Sequence, residues 1–108
     1  MQDDHLEYAQ GVLNSFIFSA IQRMAHSGDF VYRFSVGETD IRSALGLTRA
    51  IKSNVLSEYV NFFQSKGIQA VEQYGSIDIV LNLNSVSLNP AQSDALNTAM
   101  TEYREIHG

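Results

Sequence analysis

The spacing of apolar residues predicts a long helix followed by a strand at the start of the chain. Apolar side chains recur every three or four positions over residues 6 to 25, which is typical of an amphipathic helix, and Ser27-Gly28-Asp29 ends the pattern. The next segment then alternates: Phe30, Tyr32, Phe34 and Val36 share one face, and Val31, Arg33 and Ser35 share the other. This alternation predicts a strand with one buried face.

Two helices are predicted after the break at Gly37-Glu38-Thr39. Thr39 can cap a short helix from Asp40 to about Leu45, which Gly46 ends. Thr48 can cap a second helix that runs to about Ser65. Its packing side is predicted to hold Ile51, Val55, Tyr59, Phe62 and Phe63, and its outward side Ala50, Ser53, Asn54, Ser57 and Asn61. The two helices would meet at a tight turn, Gly46-Leu47.

The remaining pattern predicts a hairpin and a last helix. Residues 68 to 73 and 77 to 83 read as two strands joined through Tyr74-Gly75-Ser76. Asn89-Pro90-Ala91-Gln92 combines an Asn cap, a first-turn Pro and a Gln at the third position, which marks the start of a helix. With no internal repeat or linker, the order α-β-α-α-β-β-α predicts one α+β domain over residues 1–108.

Charge singles out the middle of the chain. The net charge is -5, yet residues 30 to 67 carry five bases against three acids. Within residues 41 to 57 there are three bases, Arg42, Arg49 and Lys52, and no acid. A phosphate backbone would be repelled by both ends of the chain and attracted only here. Any contact with nucleic acid is therefore expected to be local.

The basic stretch from residue 41 to 57 also resembles part of a known protein family. The sequence Ala44-Leu45-Gly46-Leu47-Thr48-Arg49-Ala50, with Ser53, Asn54, Val55 and Leu56 after it, resembles the turn and second helix of the winged helix-turn-helix family. The resemblance in element order covers about residues 30 to 83. It implies a small transcriptional regulator that lays the second helix into the major groove of double-stranded DNA.

The resemblance also assigns roles to individual residues. Ala50, Ser53, Asn54 and Ser57 would meet base edges, Arg42, Arg49 and Lys52 would contact phosphates, and Thr48 would cap the helix. In this register Lys52 occupies a first-turn position that the family usually fills with an apolar residue. A rotated or longer second helix is therefore predicted. The hairpin tip, Gln73-Tyr74-Gly75-Ser76, has no Lys or Arg that could contact a phosphate.

The sequence is also compatible with other functions. The same central order resembles the KH module, which binds single-stranded RNA, although Gly46-Leu47-Thr48-Arg49 lacks the second Gly of its loop. The three bases could equally be solvated positions of a helical hairpin. An acidic domain could instead bind or inhibit a basic protein partner without contacting DNA. The acids are scattered along the chain, which argues against imitation of DNA.

Apolar residues outside the helix stripes predict self-association. Tyr8, Val12 and Phe18 lie at the margins of the first helix's stripe, and Met100 and Tyr103 belong to the last helix. Left partly exposed on a monomer, these side chains would favour a homodimer through the terminal helices. The alternative is that they close the single core.

Composition argues against several classes of protein. There is no cysteine, so disulfides, thiolate nucleophiles and cysteine-bound zinc are excluded. His5, His26 and His107 are not at metal-ligand spacing, and no phosphate-binding Gly loop or nucleophile elbow is present. We expect no enzyme activity, no metal and no cofactor. The acidic start and the lack of a long apolar run predict a cytoplasmic protein that does not enter a membrane.

Overall fold

Four helices and a three-stranded antiparallel sheet form an α+β fold in the predicted element order. The computed structural model describes residues 1–108. The helices are α1 (Asp3–Ser27), α2 (Glu38–Leu45), α3 (Ser53–Ser65) and α4 (Pro90–His107), and the strands are β1 (Val31–Gly37), β2 (Gln69–Gln73) and β3 (Ser76–Asn82). None of the helices combines the length and the apolar character that crossing a membrane requires.

The long helix α1 forms where the apolar stripe predicts it and is longer at both ends. Its stripe of buried residues consists of Ala9, Leu13, Ile17, Ala20, Ile21, Met24 and Ala25. Gly28 ends the helix in the left-handed conformation, with φ 75°, and its N–H donates to Met24 O. Leu6, expected on the packing side, is instead exposed because it precedes the part of α1 that the core covers.

The sheet has β3 in the centre, between β1 and β2. Both β1 and β2 run antiparallel to β3. Ile79 of β3 lies opposite Phe34 of β1 on one side and opposite Ala70 of β2 on the other. The hairpin between β2 and β3 is confirmed and turns through Tyr74 and Gly75. Both residues have positive φ, 53° and 75°, as a type I′ turn requires.

The core lies between one face of this sheet and the helices. Among its twenty buried residues are Ile77, Ile79 and Leu81 of β3, the α1 stripe, Ile41 of α2, and Leu56, Tyr59 and Phe63 of α3. The packing side of α3 is therefore centred on Leu56, Tyr59 and Phe63. Val55 and Phe62, which were predicted there, are half-buried at its edges.

The last helix begins as its sequence predicts. Asn89 Oδ1 accepts a hydrogen bond from Gln92 N at 2.8 Å, and Gln92 Oε1 accepts one from Asn89 N at 3.0 Å. From there α4 runs alongside the second part of α1 in the same direction, since Gln92 contacts Asn14 near its start and His107 contacts His26 near its end. The two helices make the molecule elongated, 51 × 25 × 22 Å.

Both predicted starts of the central helices are wrong. α2 begins at Glu38, not Asp40, and its N-cap is Gly37, whose N–H donates to Asp40 Oδ2 at 2.8 Å. α3 begins at Ser53, so Thr48 does not cap it and the turn at Gly46-Leu47 is part of a connection of residues 46 to 52. Consequently α3 has 13 residues and is not lengthened. Lys52 is its N-cap, and the first turn holds the apolar Val55.

Candidate nucleic-acid interface

The connection from residue 46 to 52 is held by two side chains of α2. Arg42 Nη2 donates to Thr48 O at 3.0 Å, and Ile51 N donates to Glu38 Oε1 at 2.6 Å. A helix starting at Thr48 would direct the Ile51 N–H along its own axis. As a first-turn donor, this N–H would be accepted by the side chain of a Thr48 cap. The carboxylate of Glu38 accepts it instead, so the Thr48 cap does not form.

The outward face of α3 is polar and carries no charge. Its exposed residues are Ser53, Asn54, Ser57, Asn61, Gln64 and Ser65. Ser57 Oγ donates to Ser53 O at 3.0 Å, and Gln64 Nε2 donates to Ala70 O at 3.2 Å. The amides of Asn54 and Asn61 point to solvent with both donor and acceptor groups available. Such a face can form directional hydrogen bonds, and the one carboxylate at its edge is Glu58, whose side chain is 43 % exposed.

The three basic side chains of this segment fall into two groups, exposed and half-buried. Arg49 and Lys52 are exposed beside the first turn of α3, where helix N–H groups without partners also favour negative charge. Arg42 is half-buried, and its bond to Thr48 O makes it a support of the connection. The structure thus brings Arg49 and Lys52 together with Ser53 and Asn54, and places Arg42 and Thr48 in the contact that shapes the connection.

The carboxylates nearest to this surface are engaged elsewhere. Glu38 accepts the hydrogen bond of Ile51, and Glu58 forms the only ion pair of the chain, at 3.9 Å from the amino group of Met1. Neither one binds Arg49 or Lys52. The positive charge at the start of α3 is therefore not cancelled by an ion pair within the protein.

Tyr59 attaches α3 to the start of α1. Its ring is fully buried, and its hydroxyl is hydrogen-bonded to His5 Nδ1 at 2.6 Å. Burial raises the pKa of the Tyr59 hydroxyl, and the nearby Tyr8 and Asp4 raise this pKa further. The hydroxyl is consequently neutral at physiological pH. The contact joins the middle of α3 to the start of α1.

The hairpin turn lies beside the same surface and is joined to it through α2. Glu38 N donates to Gly75 O at 2.9 Å, so a single residue binds both the hairpin turn and the connection before α3. The tip presents Tyr74, whose side chain is 97 % exposed. Glu38 was not singled out by the sequence. The only signal in the sequence was its place in the break Gly37-Glu38-Thr39, directly after the first predicted strand.

The residues predicted for a dimer interface do not share one surface. Tyr8 and Val12 are half-buried and line a groove beside α2. Met100 and Tyr103 are half-buried and pack against the core. Phe18 differs from these four because it is 62 % exposed on α1. Phe18 is thus the one member of the set with a large uncovered apolar surface.

No cluster of three or more histidine and acidic side chains able to hold a metal ion is present. Comparison with protein-family models, with curated proteins and with solved structures gave no match to this chain.

Proposed function

We propose that this protein is a small DNA-binding transcriptional regulator of the winged helix-turn-helix type. In this proposal α2 and α3 form the helix-turn-helix, the hairpin of β2 and β3 forms the wing, and α3 lies in the major groove. The observation that carries it is the surface at the start of α3. There an uncharged hydrogen-bonding face adjoins two unpaired, exposed bases on a protein that is acidic overall.

The residues of this surface would have two roles: some position the DNA through its phosphates, and others recognise its base sequence. Arg49 and Lys52 contact phosphates on either side of the groove, which attracts the duplex without regard to its sequence. Asn54 reads a base edge, since its amide can donate to and accept from adenine at once. Ser53 and Ser57 have hydroxyls that can bond to several base edges. Arg42 and Thr48 act on DNA indirectly, through the shape of the connection.

Replacing both exposed bases, Arg49→Ala with Lys52→Ala, is expected to weaken binding to duplex DNA about tenfold. The slope of log affinity against log salt should fall by about 1.8, as the loss of two phosphate contacts predicts. A fluorescence titration with labelled random duplex at two salt concentrations measures both quantities. Arg33→Ala with Arg104→Ala, which removes two exposed bases elsewhere, is the matched control and should bind like the wild type.

Identical binding by the wild type and the Arg49/Lys52 variant would overturn the proposed interface. An equal loss in the control variant would show that only total charge matters.

The same titration with duplexes of different sequence examines Asn54. Asn54→Ala is expected to reduce the preference among sequences while leaving the salt slope unchanged.

We further propose that two copies associate around Phe18. The exposed, uncharged residues Asn14 and Gln22 lie one turn before and one turn after Phe18 on the same side of α1, so a second copy could approach this part of the helix without charge repulsion at the contact. Light scattering at micromolar concentration is expected to give the mass of a dimer for the wild type and of a monomer for Phe18→Ser. Val71→Ser, at an apolar residue of β2 that is 59 % exposed, should remain dimeric. A monomeric wild type would refute the association.

A further inference from the structure

A groove with acidic edges runs between the first half of α1, β1 and α2. Its volume is about 990 Å³, and Tyr8, Val12 and Leu45 contribute apolar surface to its lining. Asp4 and Glu7 of α1 and Asp40 of α2 add three carboxylates. We call this region the acidic groove. It includes no residue of α3 or of the connection from 46 to 52, so it is separate from the proposed DNA-binding surface.

None of the three carboxylates in the acidic groove has a basic partner. Asp4 Oδ1 accepts a hydrogen bond from His5 N, and Asp40 Oδ2 accepts one from Gly37 N. The only ion pair of the chain lies elsewhere, between Glu58 and the amino group of Met1. Burial raises the pKa of the Tyr8 hydroxyl, and the charge of Asp40 raises this pKa further. The groove therefore combines apolar surface with uncompensated negative charge.

Size and charge together select the occupant. The stretch of α1 from Asp4 to Phe16 that borders the groove is about 18 Å long, which corresponds to three turns of a facing helix. A small organic cation would cover part of this length and balance one carboxylate of three. No helix of this chain carries more than one Lys or Arg, so a helix of a second copy could not pair with the three carboxylates.

We propose that the acidic groove binds a basic amphipathic helix of a partner protein. The apolar side chains of that helix would contact Tyr8, Val12 and Leu45, and its Lys or Arg side chains would pair with Asp4, Glu7 and Asp40. This mode of recognition places an amphipathic helix with its apolar face in a groove and sets its register by charge. It goes beyond the proposed DNA-binding function and does not depend on it.

Anisotropy titrations with two labelled 14-residue peptides test the proposal. One peptide has Leu at helical spacing with Lys at the other positions, and the second has the same composition in scrambled order. The wild-type protein is expected to bind the amphipathic peptide at least tenfold more tightly than the scrambled one, because only the former presents a continuous apolar face. Equal binding of the two peptides would show non-specific attraction and overturn the proposal.

Two charge variants locate the site. Asp4→Asn with Glu7→Gln, which keeps side-chain size, should weaken binding of the amphipathic peptide about tenfold. Glu102→Gln with Glu105→Gln, the same charge change on the exposed face of α4, should leave it unchanged. Unchanged binding in the Asp4/Glu7 variant would overturn the assignment to this groove. DNA binding by the same variants is measured in parallel, so failure of one proposal is distinguished from failure of the other.

Other occupants would be recognised in the same experiments. Binding of tetraphenylphosphonium that requires Asp4 and Glu7, without binding of the amphipathic peptide, would overturn the proposal in favour of a small cation. A dimer by light scattering that dissociates in the Asp4/Glu7 variant would overturn it in favour of a second copy.

Discussion

Replacing Tyr59 with alanine is expected to lower the free energy of unfolding by about 3–5 kcal/mol, the usual range for truncating a buried aromatic side chain. Tyr59 is fully buried in the core and is hydrogen-bonded to His5. The substitution leaves a cavity in the core and removes the hydrogen bond that joins α3 to α1. Because domains of this size are stabilised by about 5–15 kcal/mol, the loss is a large fraction of the total. Urea unfolding followed by circular dichroism measures it.

Two further substitutions separate the parts of the Tyr59 effect. Tyr59→Phe keeps the ring and removes the hydroxyl, so about 1 kcal/mol should be lost with the bond to His5. Tyr74→Ala is the same chemical change as Tyr59→Ala at a side chain that is 97 % exposed, and should stay within about 0.5 kcal/mol of the wild type. Equal stability of the Tyr59→Ala and Tyr74→Ala variants would contradict the described core.

Replacing Glu38 with alanine is expected to lower the free energy of unfolding by about 1.5–3 kcal/mol, the range for a hydrogen bond to a charged group. The change leaves the N–H of Ile51 without its carboxylate partner and frees the connection before α3. If the proposed function holds, DNA affinity should fall as well, since Arg49 and Lys52 lose their fixed position. Urea unfolding and the duplex titration measure the two effects on one sample.

Glu38→Gln and Glu72→Ala are the controls for this prediction. Glu38→Gln removes the charge but keeps an amide oxygen that can accept the Ile51 hydrogen bond, so a smaller loss of stability is expected. Glu72 is an exposed carboxylate of β2 without a hydrogen-bond partner, and Glu72→Ala should have little effect. Wild-type stability of Glu38→Ala would show that the connection does not depend on this carboxylate.

Periodicity was sufficient to locate the elements themselves. The α1 stripe, the alternation in β1 and the Asn89-Gln92 cap depend on neighbours within one helix or strand, and all three are confirmed. The hairpin turn at Tyr74-Gly75 is also a local feature, because positive φ is required there by the turn type.

The errors occurred where distant groups compete for backbone hydrogen bonds. A helix beginning at Thr48 satisfies local rules, since Thr is a good cap and apolar residues follow at helical spacing. The carboxylate of Glu38, 13 positions from Ile51, and the guanidinium of Arg42 bind this segment in another conformation. Likewise, the residues predicted for a dimer interface lie at helix margins, and the packing of the helices leaves four of the five half-buried against the core.

The sequence by itself determined the order of the elements, the buried stripes and the acid-free basic segment, because each follows from residue type and spacing along one element. Tertiary structure alone decided where α3 starts, which bases are exposed and which carboxylates meet in the acidic groove. These features depend on contacts between elements far apart in the chain, and the energies of such contacts exceed the local preference of a few residues for helix. Arg42 shows the difference most clearly: its charge is read from the sequence, but its role in holding Thr48 comes from the fold.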